Sequence, residues 1–219
     1  NGSPRPADNS ELVWSNAAYE MALKMSQAFT EFGWCTSIRG LDNGGKVTDL
    51  PNVVYKTDAG DDYQVCPTEV NLTDEREKEL SDLGFLPLVH YKNTNYGVFL
   101  GGQTTQRPKT FTDPDATSNA AISARLPYIM AAGRIAHYLK VMGRDQIGSN
   151  LEAEDIQRSM QAWIEQYTNG GAIGNSERAR TPLAESTISV VEQPGRPGAY
   201  SAVAQLRPWL QMEELTTSV

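Results

Sequence analysis

The chain has 219 residues, of which 39% are hydrophobic and 21% charged, a composition typical of a globular protein. Its 27 acidic residues outnumber 19 basic ones, and the resulting formal charge of −8 disfavours DNA or RNA as a partner. No apolar run approaches the roughly 20 residues that a bilayer span needs, so the sequence predicts no direct membrane insertion.

Few residues suited to metal or redox chemistry are present. The chain has two cysteines, Cys35 and Cys66, and two histidines, His90 and His137. So few cysteines exclude a disulfide scaffold and fit a reduced compartment, with a single bridge between them as the open alternative. Two histidines exclude a multi-histidine metal site. We therefore predict neither a metal nor a cofactor.

Residues 11–117 predict one helix followed mainly by strands. Residues 1–10 are polar and lack the charged and apolar regions of a signal peptide, so we interpret them as a flexible lead-in. Residues 11–32 predict a helix, because apolar side chains recur every three or four positions. Strands are predicted at 34–39, 53–56, 63–66, 85–90 and 96–100, a short charged helix at 74–83, and a loop at 101–117.

The next segment, residues 118–170, predicts helices. One runs over 118–148 and is interrupted or restarted at Pro127, since proline suits the first turn of a helix. A second runs to about residue 168, and Ser149 and Glu152 have the spacing of a capping box at its start. The buried stripe of this second helix is predicted to consist of Ile156, Met160, Trp163 and Tyr167.

The terminal region, residues 184–219, contains two strand candidates at 186–192 and 199–206. Alternation of residue types places the following side chains on the apolar faces of these strands: Ile188, Val190, Tyr200, Ala202, Ala204 and Leu206. Two interpretations are open, an ordinary hairpin that closes its own sheet and strands that are shared between chains. The order of all elements predicts an α+β fold, with a mostly antiparallel or mixed sheet flanked by helices.

Charged side chains follow two of the predicted helices. His137, Lys140 and Arg144 are spaced three and four residues apart, which places them on one helical face. Glu154 and Asp155 lie on the exposed side of the next helix. We predict that at least one of these faces is an interface, and the alternative is that both are solvated.

The two histidines are the candidates for catalysis. His90 lies within a predicted strand and His137 shares its face with basic residues. A catalytic histidine needs a nucleophile or carboxylate within reach, and the sequence indicates no such pairing. A small-molecule hydrolase or transferase that uses His90 or His137 is kept as an alternative.

Several long stretches resemble the large sheath subunit of the bacterial type VI secretion system, the family called TssC or VipB. The resemblance extends from about Leu12 to Val219. It is carried by CPTEVNLTD at 66–74, REKELSDLGFLPLVHYKNTNYGVFLGGQ at 76–103, ARLPYIMAAGRIAHYLKVMGRDQIGS at 124–149 and PGAYSAVAQLRPWLQMEELTTSV at 197–219. Members of the family are about twice this length, so the resemblance implies that this chain corresponds to their C-terminal half.

The resemblance implies a structural protein of the bacterial cytoplasm and not an enzyme. In that family the large subunit pairs with a small subunit, TssB or VipA, and the pairs form stacked six-fold rings on a baseplate around a tube of Hcp protein. Contraction of this sheath propels the tube and its effectors, and the ATPase ClpV disassembles the sheath afterwards. The resemblance also implies a contractile-sheath C-terminal fold whose terminal strands join strands of neighbouring subunits.

Overall fold

A computed structural model describes residues 13–212 of the chain. The predicted lead-in at 1–10 and the last residues of the terminal region, 213–219, lie outside the described residues. The chain divides into two compact units. The first contains the chain up to Ala28 and resumes from Ser37 to Leu126, and the second contains Phe29–Thr36 and resumes at Pro127.

The first helix, α1, spans Ala17–Phe32 and confirms most of the predicted helix at 11–32. It begins later than predicted, because the side chain of Asn16 accepts a hydrogen bond from the backbone N–H of Ala18 and so caps the helix there. Gly33 follows with φ of 77°, the left-handed conformation that commonly ends a helix.

Short strands form two sheets in the first unit. Strands β1 (Lys46–Val47), β4 (Leu88–His90) and β5 (Gly97–Phe99) form an antiparallel sheet in the order β1-β5-β4. The strands predicted at 53–56 and 63–66 are confirmed as β2 (Val54–Lys56) and β3 (Asp62–Gln64), which pair antiparallel with each other. The charged helix is confirmed as α2 (Asp74–Asp82), which begins at the N-cap residue Thr73.

The strand predicted at 34–39 is wrong. Trp34 is buried in the core of the second unit, whereas Ser37 and Arg39 belong to a turn in the first. In that turn Arg39 donates its backbone N–H to the carbonyl of Asn43, and the Ser37 hydroxyl donates to the Asn43 side chain. The backbone groups that a strand would use for pairing are therefore used within the turn.

The helix predicted at 118–148 is two helices, α3 (Pro114–Ser123) and α4 (Leu126–Asp145). The predicted restart is confirmed, since Pro127 lies in the first turn of α4. Helix α3 begins inside the predicted loop, where the Asp113 side chain accepts from the N–H of Asp115 and Pro114 follows at the first helical position.

Helix α5 (Ala153–Glu165) crosses the core of the second unit. Its buried residues are Ile156, Met160 and Ile164, at successive intervals of four, whereas Trp163 and Tyr167 are half-buried beside them. The predicted capping box is wrong, because Glu152 is the N-cap residue and makes no side-chain cap bond. The Ser149 hydroxyl donates instead to the carbonyl of Gln146.

The second unit ends in a long hairpin. After the short helix α6 (Asn175–Arg180), strand β6 (Leu183–Glu192) pairs antiparallel with β7 (Tyr200–Pro208), which confirms both terminal strand candidates. Every ladder between named strands is antiparallel. The α+β fold with mostly antiparallel sheet is therefore confirmed for the described residues. None of their helices has the length and apolar character that crossing a membrane requires.

Candidate assembly surface

The register of the β6–β7 hairpin brings the predicted strand residues together. Ile188 lies opposite Ala204, Val190 opposite Ala202, Ser186 opposite Leu206 and Glu192 opposite Tyr200. Directly opposed residues of an antiparallel pair lie on the same face of the sheet. All six predicted strand residues therefore share one face.

Helix α5 covers the β6 part of this shared face, whereas the β7 part is largely exposed. Ile188 and Val190 are only 2% and 7% exposed, and they belong to the same core cluster as Met160. On β7, Ala202 and Ala204 are exposed, and Leu206 packs partly against the core. The side chains of Ile188 and Val190 thus serve the core of their own unit.

Two glutamines of α5 contact the outer edge of β6. The Gln161 Oε1 accepts the backbone N–H of Ile188 at 2.9 Å, and its Nε2 donates to the carbonyl of Ser186 at 3.3 Å. The Gln157 Oε1 accepts the N–H of Val190 at 2.9 Å. The outward N–H groups of Ile188 and Val190 and the carbonyl of Ser186 are therefore already bonded.

The outer edge of β7 has a different character. Because Ile188 and Val190 direct their N–H groups away from β7, each forms a non-hydrogen-bonded pair with its partner strand. Their partners Ala204 and Ala202 therefore direct their own N–H and C=O groups outward from β7. Among the described residues, β7 is the edge of its sheet. A row of backbone donors and acceptors is thus presented to any added strand.

The charged residues singled out from the sequence lie on α4 and α5. His137, Lys140 and Arg144 are all exposed on α4, and the His137 ring packs edge-on against Tyr138. Glu154 is exposed on α5, but Asp155 is part of an ion pair with Arg158 at 3.3 Å. An exposed pair of this kind contributes about 0–1 kcal/mol to stability.

The sequence did not indicate the role of Arg134, which organises the aromatic part of the second unit. Its guanidinium lies 4.4 Å from the ring centre of Trp34 and 5.3 Å from that of Phe29, and it donates to the carbonyl of Gly33. Burial raises the pKa of the neighbouring Cys35 thiol, and the positive charge of Arg134 offsets part of that increase. Arg134 therefore adds a cation contact and a hydrogen bond to the packing of Trp34 against α4.

The histidine environments give no support to catalysis. His90 is buried, and its Nε2 lies 2.9 Å from the carbonyl oxygen of Thr94, which is a backbone partner. His137 is exposed on α4. Within residues 13–212, no three His, Cys, Asp or Glu side chains are grouped so that they could hold a metal ion.

Comparisons with known proteins indicate which class of protein this fold belongs to. A family model described as EvpB/VC_A0108, tail sheath N-terminal domain, matches residues 3–106. A second, described as EvpB/VC_A0108, tail sheath gpW/gp25-like domain, matches residues 115–219. Together they define the class as tail sheath proteins.

Similarity to a curated relative indicates which kind of tail sheath protein this is. The type VI secretion system sheath protein TssC1 of Pseudomonas aeruginosa strain PAO1 is 45% identical over 215 residues, which is 97% of this chain and 43% of the relative. The chain belongs to the family of type VI secretion sheath proteins. It spans less than half the length of that relative, and its correspondence to the family's C-terminal half stays a prediction.

Among the solved structures that are similar to this chain is the cryo-EM structure of the anti-feeding prophage (AFP) baseplate, 6-fold symmetrised. It is 12% identical with a TM-score of 0.47, and the match covers 69% of this chain and 40% of that one.

Proposed function

We propose that this chain is part of a structural subunit of a type VI secretion sheath in the bacterial cytoplasm. It assembles with the small sheath subunit and with further copies of itself into a helical tube around an inner Hcp tube. Contraction of the tube propels effectors, and an ATPase of the ClpV type then disassembles it. The observation that carries the proposal is the 45% identity to a named sheath protein over 97% of the chain.

The terminal hairpin supports a specific way of assembling. A sheath is a repeating polymer, and non-closing contacts between identical subunits produce helical filaments. An outward row of backbone groups on β7 suits the addition of a strand from another protomer. Backbone ladders of this kind link neighbouring subunits while the rest of each subunit changes position.

Electron microscopy of the full-length protein with its small partner tests the proposal. Tubes are expected with the intact protein, and none when the chain is ended before Ala199, because β7 is then absent. Normal contractile tubes from the truncated protein would contradict a role for this strand. The absence of tubes from the intact protein and its partner would contradict the function itself.

The enzymatic alternative has its own test. His90→Gln and His137→Gln are expected to leave tube assembly largely intact, with at most a loss of stability at the buried His90. A hydrolase or transferase activity that either substitution abolishes would contradict the structural role. The backbone partner of His90 favours the structural outcome.

A further inference from the structure

The open end of the β6–β7 hairpin is the end where Leu183 lies opposite Pro208, away from the turn. Pro208 has no N–H, and Leu183 directs its own N–H away from β7, to the carbonyl of Tyr167 at 3.2 Å. The register also shifts between Leu183 and Glu185, and such an irregularity disrupts a ladder locally. The ladder alone therefore gives this end little support.

The residue that follows β7 supplies support from two helices. Trp209 donates its N–H to the carbonyl of Pro182 at 3.2 Å, across the open end. Its carbonyl accepts from the hydroxyl of Tyr128 on α4 at 3.1 Å. The guanidinium of Arg178 on α6 lies 4.4 Å from the centre of its ring. Helices α4 and α6 thus hold Trp209 at the open end of the hairpin.

The next residues continue this attachment. Gln211 donates its Nε2 to the carbonyl of Thr36 at 2.9 Å, within the same compact unit. Leu210 and Met212, which alternate with Trp209 and Gln211, are exposed. Residues 209–212 therefore form an anchor segment, which is tied to the second unit through positions 209 and 211.

The turn end of the hairpin is held differently. Gln193 donates its N–H to the carbonyl of Ala199 at 2.7 Å, and Gly198 donates its N–H to the Glu192 carboxylate at 3.1 Å. Both bonds join residues in and beside the turn to each other, and residues 194–198 are exposed. The turn end is thus supported by its own bonds, whereas the open end is supported by helices.

We propose that the anchor segment fixes the open end of the hairpin to α4 and α6, so that local opening begins at the 193–199 turn. Without it, the end opposite the turn would open first, because the chain does not join the two strands there. The inference rests on the proposed function: a hairpin that joins subunits needs a fixed attachment to its own subunit. Tyr128 and Arg178 are positioning residues, which act through Trp209.

Hydrogen exchange at single-residue resolution on the unassembled full-length protein tests the order of opening. Because Val190 directs its N–H outward, the neighbouring pair of Val191 and Ser201 is hydrogen-bonded within the ladder, next to the turn. After correction for intrinsic rates, the amide of Ser201 is expected to exchange faster than that of Trp209. An equal or slower rate at Ser201 contradicts the inference, because opening would then not begin at the turn.

The variant Y128F/R178M removes the hydroxyl and the guanidinium that contact Trp209, with little change in side-chain volume. Exchange at Trp209 is expected to become about tenfold faster, the effect of losing one contact of typical strength. Exchange at Ser201 is expected to stay unchanged. The matched control Y19F/R196M removes the same two groups from exposed residues of α1 and of the turn, and should leave both rates unchanged.

Tubes assembled with the small partner test the role of the anchor segment in the sheath. Those of Y128F/R178M are expected to dissociate at a lower urea concentration than those of the control, as measured by sedimentation. Equal resistance to urea, or unchanged exchange at Trp209, overturns the inference. If the double variant does not fold, the wild-type rates at Ser201 and Trp209 decide the question. If the wild-type protein forms no tubes, the proposed function has failed, and the same two rates still decide where the hairpin opens.

Discussion

The strands of the two units differ in length and in the elements that support them. In the first unit, strands are two or three residues long and end in turns. In the second, β6 and β7 have ten and nine residues, and α5 packs along β6. A strand of three residues has too few outward backbone groups to hold another chain. Among the described residues, only the hairpin has both the length and the support to join subunits.

A proline on the outer edge of β7 is the strongest test of whether the hairpin, and not the short strands of the first unit, joins subunits. Ala204→Pro removes an N–H that points out of the hairpin, so the ladder between β6 and β7 keeps its own bonds while strand addition is blocked. We expect tube formation to be abolished, as judged by electron microscopy and sedimentation. Ala204→Val retains the N–H and should assemble normally. Wild-type tubes from the proline variant would show that β7 is not the acceptor edge.

The second prediction concerns the support that α5 gives to the hairpin. Ile188→Ala creates a cavity at a residue that is 2% exposed, and should lower the free energy of unfolding by about 2–5 kcal/mol. Val191→Ala, three residues further along the same strand and on its opposite face, removes a side chain that is 55% exposed and should change the free energy of unfolding by less than about 0.5 kcal/mol. Urea unfolding of the full-length protein measures both. Equal effects would mean that β6 is not anchored through this face.

The third prediction concerns Arg134, which holds segment 29–36 in the second unit. Arg134→Met removes the cation from Trp34 and the bond to Gly33, with an expected loss of about 1–3 kcal/mol. Arg134→Lys should recover part of that loss. Arg158→Met is the control, because it breaks only an exposed ion pair worth about 0–1 kcal/mol. Urea unfolding followed by tryptophan fluorescence distinguishes the three variants.

The smallest effect is expected from the charged faces of α4 and α5. Lys140→Glu with Arg144→Glu, and separately Glu154→Lys with Asp155→Lys, should change stability by no more than about 1 kcal/mol. Because a polymer repeats each contact many times, at least one pair should alter tube length or salt tolerance. Lys92→Glu with Lys109→Glu is the control for the first of these variants, because it makes the same change in net charge at exposed residues of the first unit. Wild-type tubes from both reversals would show that these faces are only solvated.

The sequence was sufficient to predict the elements whose pattern is local. The spacing of apolar residues predicted α1 and α5, and alternation predicted β6 and β7. The start of α3 also had a local signal, Asp113 followed by Pro114, which the prediction of a loop overlooked. These elements are encoded in residues close to one another in the chain.

What could not be predicted depends on contacts between distant residues. Trp34 was assigned to a strand, but its position is fixed by Arg134 and by Tyr167, whose ring is 5.2 Å away. Gln157 and Gln161 look like ordinary helix-surface residues in the sequence, because their hydrogen bonds to β6 depend on the position of α5 beside that strand. No spacing within 157–161 specifies that the bonding partners lie at residues 186–190.

The length of the β6–β7 ladder has a mechanical consequence. The register runs without interruption from Glu185 opposite Arg207 to Glu192 opposite Tyr200. A force along the strands loads all the hydrogen bonds of such a ladder at once, whereas a force applied at the turn opens them one after another. A strand laid along β7 and pulled parallel to it would therefore share the load over many bonds. The whole hairpin therefore resists a force parallel to its strands. It is weakest against a force applied at the 193–199 turn, which breaks the hydrogen bonds one at a time.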